Sequence, residues 1–334
     1  MKKTSYKKSG VNIKKADKLV QWIKKNSSSS KKLLGSDYAS LWPLARSKYK
    51  EPVLASATDG VGTKLKLASY FSDWSGLGQD LLAMCVNDLI CVGAKPLFFL
   101  DYYACGKLDT RQAQSFLKGL QKACKTASCP LVGGETAELP GLYQKKDIDC
   151  AGFSVGIVEK SKILGPHRVQ FHDDIVAFKS SGFHSNGYSL LRKIYKSPSL
   201  LKKNQKVLMK ATRLYTFLTP FLDQISGLKA LAHITGGGLD NLSRVLPKAL
   251  KAELKPWPVP DCFLDIKQKA NLNWKELLQT FNCGLGLVAI IQNKKELYKL
   301  FPSEQIIELG QVTKRKKSTQ AWSLDFKSMT RFQA

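Results

Sequence analysis

The stretch Ser56-Ala57-Thr58-Asp59-Gly60-Val61-Gly62-Thr63-Lys64 sets a carboxylate, two glycines, a hydroxyl and an ammonium at the end of a short apolar run, Val53-Leu54-Ala55. Glycines let a backbone turn sharply and present its N–H groups to an anion. A lysine there is a point charge for phosphate. An aspartate beside them can hold Mg²⁺, which reaches phosphates through oxygen ligands. The stretch is not a P-loop, because Gly-x-x-x-x-Gly-Lys-Ser/Thr is absent. A second junction of the same kind, Leu131-Val132-Gly133-Gly134-Glu135-Thr136-Ala137-Glu138, again couples glycines to carboxylates. His184 lies in a third, Ser180-Ser181-Gly182-Phe183-His184-Ser185-Asn186-Gly187-Tyr188-Ser189. Backbone N–H groups at a helix start favour anions. A general acid or a phosphate ligand belongs at such a junction, and so does a histidine that only caps the helix. A fourth glycine turn, Thr235-Gly236-Gly237-Gly238, opens another helix.

The elements that must position these groups follow from periodicity. Strands are predicted at 53–58, 96–105, 130–132, 151–158, 174–179, 231–234, 287–291 and 306–312. Helices are predicted at Lys14–Lys25, Gly76–Gly93, Asp109–Ala127, from the His184 loop through Tyr195, at Thr212–Ile225 and at Lys294–Phe301. In the Gly76–Gly93 helix, Asp80, Asn87 and Asp88 fall on one side. Acids on an apolar helix need partners, so they either cap neighbouring backbone or bind metal. Asp101 sits unusually in the middle of an aromatic strand. A Ser-rich linker follows the Lys-rich arm, giving an arm at 1–35, a first domain at 36–164 and a second at 165–334, divided by the Gly, Pro and charge of 164–174. His167 and His172 read as exposed linker histidines.

The chain has 334 residues, 43% hydrophobic, which suits two domains with full cores. No run of roughly 18 apolar residues predicts a membrane span, and no secretory signal opens the chain, so the cytoplasm is expected. Eight cysteines without a C-x-x-C pair read as reduced, mostly buried thiols. The net charge of +27 comes mainly from lysines spread along the chain. Nucleic-acid readers favour arginine clusters or basic stripes with aromatics, so no specific nucleic acid is expected. Attraction of phosphorylated metabolites accounts for the charge equally well.

The order of the motifs carries more than any one of them. Tyr6-Lys7 with Gly10-Val11, the Thr58–Lys64 loop, Met84-Cys85-Val86-Asn87-Asp88-Leu89 and Asp101-Tyr102-Tyr103-Ala104 come first. Gly133-Gly134-Glu135-Thr136-Ala137-Glu138, His184-Ser185-Asn186-Gly187-Tyr188-Ser189, His233-Ile234-Thr235-Gly236-Gly237-Gly238 and Phe281-Asn282-Cys283-Gly284 follow. In this order the chain resembles the aminoimidazole ribonucleotide synthetases, or phosphoribosylformylglycinamidine cyclo-ligases, from about residue 6 to 312. Asp-Tyr-Tyr-Ala and Gly-Gly-Glu-Thr-Ala-Glu separate this family from its wider superfamily, which includes selenophosphate synthetase and thiamine-monophosphate kinase. Selenophosphate synthetase would want a reactive cysteine early in the chain, and none precedes Cys85.

The resemblance implies a two-domain α/β protomer of the α+β type and a homodimer. Strands of two N-terminal domains would close a barrel, and ATP would lie between the domains. It implies an ATP-dependent cyclo-ligase that forms a C–N bond in purine biosynthesis, with formylglycinamidine ribonucleotide as substrate and ATP and Mg²⁺ as cofactors. Carried onto this sequence, the ATP site is Asp59, Gly60, Gly62, Thr63, Lys64, Asn87, Gly133, Gly134 and Thr136. The metal ligands are Asp59, Asp88 and Glu135. His184 and Asn186 are catalytic, with Ser185, Gly187, Thr235, Gly236, Gly237 and Gly238 on the substrate. Two departures stand out: Leu33–Leu41 replaces a glycine-rich stretch, and Leu239-Asp240-Asn241-Leu242-Ser243-Arg244 follows the glycine triplet. A basic nucleic-acid binder on an enzyme-like fold, or a silent dimeric scaffold, is the reading from another class.

Overall fold

The computed structural model describes residues 18, 19, 21, 22, 39–44, 49–316 and 320–329. The expected Lys14–Lys25 helix and the 33–41 departure lie largely outside these residues; residues 18, 19, 21 and 22 are helical. The described chain forms two compact units. One holds the residues up to Leu89 and Lys95–Glu159; the other holds Ile90–Ala94 and the residues from Lys160 on.

The first unit is built on four strands, β1 (Pro52–Gly60), β2 (Lys95–Cys105), β3 (Leu131–Glu138) and β4 (Ile148–Glu159), in the order β1-β4-β2-β3. β4 runs antiparallel to β1 and β2, and β3 is parallel to β2. A parallel pair needs a crossover, supplied here by a helix, Thr110–Thr126. Asp109 caps it by accepting from the Arg111 and Gln112 N–H groups, as its place before an apolar stripe predicts. That helix and Leu77–Cys91 cover one face of the sheet: Phe116 packs on Tyr103 at 5.5 Å, and Cys85 reaches the β4 backbone at Gly152. The opposite face keeps Leu54 56%, Tyr102 40% and Phe153 39% exposed, three large apolar groups on one side of a sheet.

The two covering helices touch through glycine. A Cβ at Gly119 would lie 2.0 Å from the Ser75 carbonyl oxygen, and one at Gly78 would lie 2.2 Å from the Leu120 nitrogen. Backbone cannot yield as a flexible side chain does, so Gly119→Ala should cost about 1–3 kcal/mol, the scale of overpacking. Chemical denaturation checks this; a midpoint equal to wild type would show that the helices separate freely.

The second unit holds six strands in the order β10-β7-β9-β5-β8-β6. These are β5 (Asp174–Lys179), β6 (Leu228–His233), β7 (Leu250–Leu254), β8 (Leu285–Ile291), β9 (Ile306–Lys314) and β10 (Trp322–Leu324). Every residue of β8 is buried, which is why it reads as an unbroken apolar run. Val176 and Phe178 of β5 and Leu287, Ala289 and Ile291 of β8 share one core with Tyr215, Leu218, Leu231 and Phe301.

Two expectations are corrected. The helix expected over Thr212–Ile225 is a 3₁₀ stretch, Thr216–Phe221, with Pro220 inside it; proline has no N–H to give an α-helix. Gly133 and Gly134 are not a loop. They lie within β3, beyond the predicted end of that strand. Asp59 and Gly60 likewise belong to β1, and the turn starts at Val61. No described helix is long and apolar enough to cross a membrane.

Candidate active site

In the first unit the strand register sorts the acidic residues by face. Asp59 pairs with Gly152, Gly152 with Asp101, and Asp101 with Gly134. Partners directly across a ladder share a face, so Asp59 and Asp101 stand on the helix-covered side. The Asp101 carboxylate fills the space over Gly134, where a Cβ would come within 2.1 Å of its Oδ1. Glu135 pairs with Tyr102 and so lies on the other side. Adjacent strand residues point to opposite faces, and the expected metal set of Asp59, Asp88 and Glu135 is therefore divided. Among the described residues no group of three His, Cys, Asp or Glu is placed to hold an ion. The Asp59 and Asp88 carboxylates both act on the Cys85 thiol, which burial first, then the Asp59 charge, pushes up to about 12. Asp88 is exposed and Asp59 half-buried. Two carboxylates suit Mg²⁺, which keeps waters and takes its remaining oxygens from phosphates.

The turn itself is open. Gly62 and Thr63 are exposed, and the Gly60 N–H is held by Asp59 Oδ1 at 2.7 Å. Lys64 departs from its expected role. Its side chain is fully buried and its Nζ lies 2.7 Å from Asp80, itself fully buried. Burial draws the Lys64 pKa down, and the Asp80 carboxylate opposes it. The ammonium expected for phosphate thus ties the first turn of one helix, Lys64–Phe71, to the next. Asn87 is buried as well.

Burial pushes the Asp101 carboxyl up to about 7, its own backbone N–H opposing. A carboxyl whose native pKa lies above its unfolded value holds more protons folded than unfolded between the two. Stability then falls as pH rises through that window and levels off above it. Asp101→Asn should therefore gain on wild type by a few kcal/mol as pH rises from about 4 to about 7, with no further gain above. Parallel urea titrations across pH check it; a constant difference would place Asp101 in water.

In the second unit the His184 loop is laced on every side. Lys179 O accepts from Tyr215 Oη at 3.0 Å and Arg213 Nη1 at 3.1 Å. Ser181 Oγ donates to Ala211 O at 2.6 Å, and Ser185 Oγ meets Thr212 Oγ1 at 3.0 Å. His184 is fully buried, in the left-handed region at φ 60°, and its Nε2 accepts from the Ser181 N–H at 3.2 Å. Its ring centroid lies 6.2 Å from that of His233, which is also buried. Gly187, at φ 75°, has Phe281 where a Cβ would stand, 2.1 Å away. Asn186 Oδ1 is 3.5 Å from the Cβ position of Gly236, so the His184 loop and the glycine triplet meet. The Asn186 Nδ2 is buried without a hydrogen-bond partner in the protein. Asn241, part of the departure after the triplet, donates from Nδ2 to Gly236 O at 3.2 Å and Gly238 O at 2.8 Å. It is a strut of the site. His167 and His172 are exposed.

Residues 37–158 match the family model described as AIR synthase related protein, N-terminal domain, and residues 172–323 match its C-terminal counterpart. A phosphoribosylformylglycinamidine cyclo-ligase of Citrifermentans bemidjiense is 43% identical over 88% of this chain and 89% of its own. The chain belongs to the phosphoribosylformylglycinamidine cyclo-ligase family. The trifunctional purine biosynthetic protein adenosine-3 of Gallus gallus is 44% identical over 87% of this chain, which spans 31% of that longer protein. Thiamine-monophosphate kinase from Stenotrophomonas maltophilia K279a shares the fold, with a TM-score of 0.66 at 16% identity, covering 92% of this chain and 95% of that one.

The resemblance read from the motifs is thus met over 88% of the chain. Several contributors carry no role in the sequence expectation for this cyclo-ligase family: Asp80 as the partner of Lys64, Asn241, Asn282, and His233 beside His184. A buried amide leaves one trace in sequence. It sits beside glycines, in Gly-Gly-Gly-Leu-Asp-Asn and in Asn-Cys-Gly.

Proposed function

We propose that this chain closes the imidazole ring of aminoimidazole ribonucleotide from formylglycinamidine ribonucleotide, using ATP and releasing ADP and phosphate, in purine biosynthesis. The observation that carries it is cyclo-ligase identity of 43% across nearly the whole of both chains. ATP phosphorylates the formyl amide oxygen, which turns a poor leaving group into a good one. The amidine nitrogen attacks that carbon, the C–O bond breaks, and phosphate leaves.

The residues suit those steps separately in each unit. In the first, the exposed Gly62 and Thr63 of the turn would offer backbone N–H groups and the Thr63 hydroxyl to phosphate oxygens. Asn87, Gly133, Gly134 and Thr136 complete the proposed ATP set. Asp59 and Asp88 would hold Mg²⁺, which offsets charge on the transferring phosphoryl group when bound. In the second, His184 and Asn186 act on the reacting oxygen, and Ser185, Gly187, Thr235 and Gly236–Gly238 bind substrate. The protein acts in the cytoplasm as a homodimer that buries the Leu54, Tyr102 and Phe153 face, closing a barrel of paired strands. A face this apolar is covered in most proteins. Its lysines meet nucleic acid only through phosphates, weakly and with steep loss in salt.

Incubation with ATP, Mg²⁺ and formylglycinamidine ribonucleotide tests the reading. Equal yields of ADP and aminoimidazole ribonucleotide are expected, and ATP turnover without the ring would overturn it. Sedimentation at micromolar protein tests the dimer, which a monomer contradicts.

A further inference from the structure

We propose that Asn282 is a positioning residue that fixes His184 in its Nδ1–H tautomer, so that His184 serves as a neutral donor from Nδ1; this rests on the function proposed above. Asn282 is 2% exposed, in the loop that leads into β8. Its carboxamide makes bonds in both directions. Oδ1 accepts from Ser180 Oγ at 2.9 Å and from the Gly284 N–H at 2.9 Å. Nδ2 donates to Gly182 O at 2.8 Å. The Ser180 N–H adds a bond to Gly284 O at 2.8 Å. Residues 180 and 182 are thus both pinned to the 282–284 loop, and Ser181 lies between them. That loop is anchored from behind by Trp257 Nε1 on Cys283 O at 3.0 Å.

From this arrangement the Ser181 N–H reaches His184, at 3.2 Å from Nε2. A backbone amide can only donate, so Nε2 must accept, and the proton of the neutral ring sits on Nδ1. The tautomer is therefore set by the direction of a peptide bond, and that direction by Asn282. An aspartate at 282 would keep the acceptor for Ser180 and Gly284 but would face Gly182 O with a second oxygen. An alanine would release Gly182 O and the Ser180 hydroxyl and leave Ser180 tied to that loop by its N–H on Gly284 O. The consequence for the reaction is directional: His184 gives a hydrogen bond from Nδ1 to a developing anion, while Nε2 is committed to Ser181 and takes no proton from substrate.

Two measurements on the full chain test this. The chain has four histidines, so ¹⁵N spectra of histidine-labelled protein near pH 8 resolve them, with His184→Ala giving the assignment. Wild type should show His184 as the Nδ1–H tautomer, and Asn282→Ala should show it shifted toward Nε2–H. The second is a double-mutant cycle in kcat. Asn282→Ala should lower kcat roughly 10–100-fold, the scale of a misplaced reacting group, with the KM for ATP within about threefold of wild type. In a His184→Ala background the same change should alter kcat less than about twofold. Asn282→Asp serves where Asn282→Ala fails to fold, with the same expected pattern. An Nε2–H tautomer in wild type, or a loss that multiplies in full with His184→Ala, would overturn the proposal. Should wild type fail to cyclise substrate, the functional reading falls while the tautomer still decides the role of Asn282.

Discussion

His184→Ala should lower kcat for cyclisation by roughly 10²–10⁴ while the KM for ATP moves little. The size follows from the proposed action of His184 on the reacting oxygen; the unchanged KM follows from the nucleotide contacts proposed for other residues, those of 59–63 among them. The alternative is that His184 only shapes its loop. It is fully buried, holds φ 60° and accepts the Ser181 N–H, all of which an architectural residue also does. Loss of such a residue costs about 1 kcal/mol or somewhat more in stability and leaves kcat nearly intact. Melting temperature and steady-state kinetics on the same variants separate the two. His167→Ala and His172→Ala are the controls, since both residues are exposed, and should match wild type in both measurements. A His184→Ala enzyme with a lowered melting point and a near-normal kcat would end its catalytic assignment.

His184 was legible because its neighbours are informative: glycine, serine and asparagine between a strand and a helix leave few roles for an imidazole. Strands with a continuous apolar run, such as β5 and β8, were legible for the same kind of reason. Less was visible where two distant segments decide. Glu135 follows two glycines much as Asp59 precedes one, and only the pairing of β3 with β2 shows that it faces the other way. Gly133 and Gly134 look like a turn, yet they are strand residues paired with Leu100 and Asp101 of β2, and glycine is required at 134 because the Asp101 carboxylate occupies the room a side chain would need. No helix is predicted at Trp274–Thr280, although its start is written out. Asn273 and Glu276 cap each other's backbone, a signature three residues apart that the short apolar stripe behind it conceals.

Lys64 is the plainest case of a side chain whose partner the sequence does not name. Asp80→Ala should destabilise the first unit by about 3–5 kcal/mol, because it leaves a buried ammonium without its carboxylate. Removing both charges should be far milder: Lys64→Met with Asp80→Leu should return most of that loss, as apolar replacements of buried pairs commonly do. The pH dependence has a definite sign. Lys64 has a native pKa below its unfolded value, so above the native pKa the unfolded chain binds more protons. Stability gains from this group as pH rises toward about 10.4. Asp80→Ala removes the group that opposed the shift, which widens that window downward and enlarges the total recovery with pH. Kinetics on the double variant then decide the functional question. A stable double variant with an unchanged KM for ATP makes Lys64 a strut between two helices. If instead Asp80→Ala costs under about 1 kcal/mol and the double variant raises that KM tenfold or more, the ammonium leaves its pocket for the triphosphate during turnover.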